Sequence, residues 1–590
     1  MLSRGLINGS RWRRSVDRDL TWQISLTLSL GFFLYNALHF TGPAYTGSDE
    51  VAYLAKAAFL AGKPVDYASS WFAGYSVFLV PAFAIFSSPK AIWLGVLATN
   101  ALLWCGSFVL LGRFLHCFQR ECKTEFSQST LNFALLASCL YPGWFVLSGY
   151  AFPNSAFVFV YMVALNTLVT DNSVLARRAI GHYAAIVYLC WIHPAGYAVL
   201  AVSIAIIIAK GLRNRALTKP LVVSLAMMTL VFVIGPFLEK LINDAMTPDG
   251  FGFPTHYGSH ISGQLNDLLN TSHLVGLAKE LLTVSSSVII ATAGLVVALS
   301  ITAIRAGSRS KRPSIMRLTL VFVLGSLIGV IAITSLSLYS PARFTMQVDH
   351  WVFLRYAEGV MLPVIALGVL SLLRMSVRDR AITLLVSLAL LLPAAILLQH
   401  DLGVRGPTSR VDNHFVMSAG FWPYNFDPGI SFRNWIGTTP ASAMTYPSFT
   451  RWYLIGAIGV GLVLLGRNFL LALLLPLALL LSPRIQTNWH EWLTNEYSSI
   501  PPIRPVINEL LPERSCVVFN WSGQDKDQYD ERYIKITFEL TGLNLQRGFV
   551  PNTDTSCREP VFIVASETEA PEGSHVTWLD TYGLVTPDAP

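Results

Sequence analysis

Two carboxylates stand side by side at Asp49 and Glu50, just beyond the first apolar block, in the segment SDEVAYLAKAAFLAGKP. An ionised carboxylate there can take the proton of an attacking hydroxyl, the work of a general base. It can also do no more than begin a helix, because acids in a first turn complement the helix dipole. The spacing predicts such a helix: Ser48 caps it, the two acids fill its first turn, and Gly62-Lys63-Pro64 ends it. Val51, Leu54, Ala55, Ala58 and Phe59 form one stripe, facing lipid or protein, so the helix is expected to lie on the membrane. Groups able to hold an anion are spread along the chain: Lys63, His193 in WIHPAG, His256 and His260 in GFGFPTHYGSH, and Arg355 with Tyr356 in LRYAEGVMLP. Plainer readings stand beside these. Arg355-Tyr356 also suits an interfacial anchor, His193 a helix-ending histidine bonded to backbone, and Gly250–His260 a solvated loop. DNHF and NFDPG, within 412–429, are further candidates for an acceptor side.

These residues must be positioned by membrane-spanning elements. Of 590 residues, 53% are hydrophobic and 13% charged, against ~25% charged in soluble domains. The mean hydropathy is +0.50. A soluble enzyme, a disordered scaffold and a disulfide-dense secreted module are excluded, leaving a polytopic α-helical membrane protein. Apolar blocks predict about 13 transmembrane helices, at 20–40, 91–112, 131–147, 154–170, 180–193, 196–209, 220–238, 284–304, 318–339, 357–373, 381–399, 452–466 and 469–482. The net charge of +7 does not imply nucleic acid, because the basic residues cluster in short turns between apolar blocks. Of the seven cysteines, Cys105, Cys117, Cys122, Cys139 and Cys190 fall in or near spans without CxxC spacing, so no metal site is expected there. The leading MLSRGLINGSRWRRSVDRD is a basic approach to a full-length span rather than a cleavable signal.

The apolar stretch WFAGYSVFLVPAFAIFSS (71–88) decides the topology. If it does not cross, the short inner loops hold about twice as many Lys and Arg as the longer outer ones, as orientation requires. It is therefore a juxtamembrane element of the first outer loop, interrupted by Pro81. The N-terminus is then cytoplasmic and the active face extracytoplasmic, in a membrane expected to be the bacterial inner (plasma) membrane. Two domains are expected: 1–482 in the membrane, and a small C-terminal α/β soluble domain at 483–590. In the latter, SCVVFNWSG, YIKITFEL, PVFIVAS and HVTWL are β-prone, and Cys516 and Cys557 lie where a disulfide would persist.

An acidic pair just after the first span, in the pattern D-E-x-x-Y, resembles the GT-C glycosyltransferase superfamily. The nearest branch holds protein O-mannosyltransferases, lipid A aminoarabinose transferases and bacterial lipopolysaccharide or arabinan transferases. WFAGYSVFLVPAFAIF resembles that branch's second juxtamembrane element, and ATNALLWCGSFVLLGRFL its second span. YPGWFVLSGYAFPNSAFVFVYMVAL resembles its next hairpin, CWIHPAGYAVL its R-P turn, and HWVFLRYAEGVMLPVIAL its late R-Y-x-x-x-x-x-P motif. In order, these cover most of residues 20–375; residues 400–590 are not covered. Asn154 replaces the hairpin's usual acid and His193 the usual Arg, so no second catalytic acid or metal ligand is carried over to 154.

The resemblance implies an inverting transfer of a sugar from a polyprenyl-phosphate donor to a lipid, glycan or protein acceptor at the outer membrane face. The phosphate leaves without a protonating acid, unlike the leaving group of a glycosidase, so one base suffices. Asp49 matches the family's first acid; Glu50 is its substitute or orients it. Arg355 and Tyr356 are assigned to the donor phosphate, joined by Lys63, His193, His256 and His260. Relatives differ in whether a divalent cation takes part, so no cofactor is fixed. Two other classes compete. A lipid-linked glycan transporter or flippase would need ionisable groups at bilayer depth and usually repeated, broken helices; the spans hold almost no Asp, Glu, Lys or Arg away from their ends, and the sequence carries no internal repeat. An O-antigen polymerase or ligase would carry its arginine-rich loop late, and the early acidic pair argues against it.

Overall fold

The structure, a computed structural model, describes residues 48–63, 68–69, 72–122, 126–139, 141, 144, 147–170, 179–213, 215, 217–246, 252–253, 271–309, 315–338, 355–405, 458–464, 466, 516–520, 544–548, 561–564, 575–579, 582–586 and scattered positions within 23–34. Most of them are helical. In lipid every backbone N–H and C=O must be satisfied within its own segment, which helices alone achieve for single spans. Helix α1 is Ser48–Leu60 and α2 Gly74–Ile85; α3 is Pro89–Cys122, α4 Gln128–Cys139, α5 Asn154–Thr170, α6 Ala179–Ile192 and α7 Ala195–Arg213. Then come α8 Thr218–Thr229, a π-helical turn Leu230–Ile234 and α9 Gly235–Met246. The later helices are α10 Thr271–Ala291, α11 Leu295–Arg309, α12 Ile315–Leu338, α13 Arg355–Arg374 and α14 Val377–Arg405.

Among the described residues, 7 helices are long and apolar enough to cross a membrane: Ala91–Glu121, Ala195–Leu212, Thr218–Met246, Leu274–Ala291, Met316–Leu336, Tyr356–Arg374 and Val377–Leu397. The chain is an integral membrane protein. The expected spans at 469–482, most of 452–466 and most of 20–40 lie outside the described residues. At 12 residues, α2 is about 18 Å long, too short for a ~30 Å hydrocarbon layer.

Three spans differ from expectation. Helix α3 continues past 112 to Cys122, so Arg113 and Arg120 lie on the helix rather than in a loop. The expected straight span 284–304 is two helices. Gly294 N–H bonds Ile289 O (2.8 Å) and Ala293 N–H bonds Ile290 O (2.9 Å), with Ala293 and Gly294 at φ 48° and 79°. That is the left-handed C-terminal cap that stops a helix. Ser286 Oγ donates to Leu390 O (3.1 Å), and Arg305 pairs with Asp379. Rising numbers on α10 and α11 thus meet falling numbers on α14, so the two helices together run antiparallel to it. The span 218–246 is also interrupted. Pro236 lacks an N–H and crowds the carbonyl four residues back, and the chain widens into the π turn there.

Helix α13 is buried almost throughout, packed by α4, α5, α11 and α12. Gly368 permits this closeness to α11, since a Cβ there would stand 2.8 Å from Leu295 O. In the tail, a 5-stranded sheet has the order β4-β3-β5-β7-β6, with β3 Cys516–Asn520, β4 Asn544–Gly548, β5 Val561–Val564, β6 His575–Leu579 and β7 Tyr582–Thr586. β3 is parallel to β4 and β5, while β7 is antiparallel to β5 and β6. Three expected strands appear, β4 and β7 were not foreseen, and YIKITFEL and Cys557 lie outside the described residues.

Candidate functional site

Helix α1 ends as the spacing predicts. Lys63 N–H bonds Ala58 O (2.9 Å), Gly62 N–H bonds Phe59 O (2.8 Å), and Gly62 has φ 77°. An L side chain would strain at that angle, so glycine fixes where the chain turns away and leaves Lys63 half-buried just past the helix end. The expected surface position of α1 is corrected, however. Residues 52–58 are all buried, so the helix is enclosed on every side rather than along one stripe. Helix α2 covers part of it: the Tyr53 and Tyr75 rings meet edge to face at 5.4 Å, and Ser76 Oγ donates to Tyr53 O (2.9 Å).

A buried ion pair closes another part. Lys56, fully buried, meets Glu239 of α9, whose second oxygen accepts from Ala73 N–H (3.0 Å) at the start of α2. Burial pushes the Lys56 amine down to about 7. Strand β1 (Ala68–Ser69) pairs in parallel with β2 (Gly252–Phe253). The Gly250–His260 stretch therefore begins against the α1–α2 connection, although His256 and His260 lie outside the described residues, as does 412–429.

Asp49 and Glu50 occupy the first turn of α1; the Asp49 side chain lies outside the described residues. Glu50 is fully buried, and its Oε1 accepts from Ala151 N–H (2.8 Å), in the turn before α5. Beneath it, Tyr75 OH and Ser155 Oγ both donate to Asn100 Oδ1 (2.8 and 2.7 Å), and Asn100 Nδ2 donates to Tyr150 O (2.7 Å). Burial raises the Tyr75 phenol, the Asn100 bond opposes the rise, and Glu50 adds to it, so Tyr75 acts as a neutral donor.

His193 and Tyr356 are brought together, ring centroids 4.4 Å apart, with the Phe157 ring edge-on to His193. His193 Nδ1 accepts from Ala195 N–H (3.1 Å), which leaves the neutral ring's proton on Nε2. Arg355 is the first residue of α13; its side chain lies outside the described residues. Asn154 is buried at the start of α5.

Sequence reasoning missed the Asn100 cluster, the Lys56–Glu239 pair, and Glu280 and Glu358, both fully buried within spans. Glu280 is an acid inside the described span Leu274–Ala291 that was not expected there, whereas Glu358 stands in the first turn of α13, at a span end. Among the described residues, no group of three His, Cys, Asp or Glu side chains is placed to hold a metal.

No family model matches the chain, and no curated protein does. Among solved structures, the crystal structure of ArnT from Cupriavidus metallidurans bound to undecaprenyl phosphate matches 95% of this chain and 97% of its own, with a TM-score of 0.51 at 17% identity. The same protein in the apo state gives 0.49 at 14% identity over the same shares. The chain has an ArnT-like fold. This likeness covers 95% of the chain.

Proposed function

We propose that this protein is an inverting glycosyltransferase that moves a sugar from a polyprenyl-phosphate donor to a lipid, glycan or protein acceptor at the extracytoplasmic face of the membrane. What carries the reading is the likeness, over 95% of the chain, to ArnT, a protein crystallised with undecaprenyl phosphate. The acidic pair at the head of an enclosed helix supplies a place for the chemistry. Asp49 takes the proton of the acceptor hydroxyl, whose oxygen bonds to the anomeric carbon from the face opposite the phosphate. The bond from that carbon to the phosphate oxygen breaks, and the polyprenyl phosphate leaves as the anion. Glu50, held by Ala151 N–H, orients the pair rather than sharing the proton.

Arg355 and Lys63 balance the donor phosphate, with Tyr356 and the Nε2–H of His193 as neutral donors, and His256 and His260 are further candidates for binding it. The proposal includes thirteen spans, a transmembrane catalytic domain over 1–482, an extracytoplasmic α/β domain over 483–590, and residence in the bacterial inner membrane with the N-terminus inside. Purified protein should release undecaprenyl phosphate from one of a panel of undecaprenyl-phosphate pentoses and hexoses, assayed with and without a chelator. Asp49→Asn should lower that rate by about 10²–10⁴ while sparing donor binding. Normal turnover by Asp49→Asn with a dead Glu50→Gln would swap the two roles. Activity in both would reduce the pair to a helix start.

A further inference from the structure

Asn100 lies in the middle of α3, with no exposed surface and every polar side-chain atom committed. Its Oδ1 is filled by two hydroxyl donors, from Tyr75 on α2 and Ser155 on α5. That arrangement leaves one orientation for the amide, with Nδ2 directed at Tyr150 O. Tyr150 O and Ala151 N–H are the two ends of a single peptide unit, and the second end holds Glu50 Oε1 at 2.8 Å. The result is a continuous chain of donors: hydroxyls to Asn100, Asn100 to the carbonyl, and the N–H of that same peptide to the carboxylate. A donor at the carbonyl polarises the N–H at the other end, so each bond strengthens the next. It also fixes the peptide's rotation, since a turned peptide would lose both partners at once.

We propose that Asn100, oriented by Tyr75 and Ser155, is a positioning residue for the acidic pair: through the 150–151 peptide it sets Glu50, and through Glu50 the first turn that carries Asp49. This rests on the reading of Asp49-Glu50 as the catalytic pair, and names a span residue on which that pair depends. The side chain reaches no substrate; the link proposed runs from its Nδ2 through one backbone unit to Glu50.

The test uses the full chain in nanodiscs, with three readouts: turnover of the undecaprenyl-phosphate sugar, binding of undecaprenyl phosphate, and deuterium exchange of the peptide holding Ala151. Asn100→Ala should lower turnover about 10–10²-fold, the scale of a small misplacement of a reacting group, with binding unchanged and faster exchange. Tyr75→Phe and Ser155→Ala keep the amide but loosen its orientation, and should move turnover and exchange the same way by less. They serve where Asn100→Ala does not fold. In a Glu50→Gln background, Asn100→Ala should cost little more, because the two act in series. Independent, multiplying losses would overturn the proposal, and so would unchanged exchange at Ala151. Faster exchange with full activity in both Asn100→Ala and Glu50→Gln would instead sink the catalytic-pair reading, leaving the hydrogen-bonded chain as architecture alone.

Discussion

At the scale of single residues, the charges divide between those that face a ligand and those that hold the protein. Arg355 is proposed for the first class, at the head of the central helix beside the His193–Tyr356 contact. Arg355→Ala should weaken undecaprenyl phosphate binding without unfolding the protein, and Arg355→Lys should restore it only partly, because an ammonium lacks the planar fork of donors. Unchanged affinity in the Ala variant would return Arg355 to the aromatic belt. Lys56 and Glu239 belong to the second class. Breaking a buried pair strands a charge, so Glu239→Gln should cost about 3–5 kcal/mol of stability, read from thermal unfolding. The pair also sets a pH dependence. The folded Lys56 amine is lowered from 10.5 to about 7, so between those values the unfolded chain binds more protons and stability rises with pH. Melting temperature should climb from pH 7 towards 10, and Lys56→Met should flatten the climb.

At the scale of elements, the orientation of the spans is the claim most open to direct attack. Ser127 is exposed just before α4. In a cysteine-free background, Ser127→Cys should resist an impermeant thiol reagent added outside intact cells, and labelling there would invert the map. Elements bounded by polar residues were legible in the sequence: α5, α6 and α7 begin and end close to expectation because PNS, the polar sequence DNSVLARR at 171–178 and HPAG interrupt the apolar run. The turn between α10 and α11 was not legible. Thr292-Ala293-Gly294 lies inside an unbroken apolar block, and an Ala adopting a left-handed angle leaves no mark on hydropathy. The C-terminal cap at Gly62 was readable for the opposite reason, since glycine, lysine and proline follow one another there. Partners far apart in sequence were invisible throughout: nothing near Asn100 announces Tyr150, nor anything near Lys56 its acid on α9.

At the scale of the whole molecule, the acidic pair was found early because it is local, whereas its enclosure is assembled from distant pieces. Ala73 and Glu239 are 166 residues apart, and β1 and β2 close a loop of similar size. That separation has a consequence during synthesis. A chain made from its N-terminus at about 5–20 residues per second carries α1 for some ten to forty seconds before Glu239 and Phe253 exist. Over that interval the nascent protein has its acids but no wall behind Lys56, so it is born open and is sealed by a segment made much later. A thiol at Ala55, buried in the finished fold, reports the closure. Ala55→Cys in a cysteine-free background should label readily in stalled chains ending at residue 230, and poorly in the full-length chain. Equal protection in both would mean that α2 alone shuts the site.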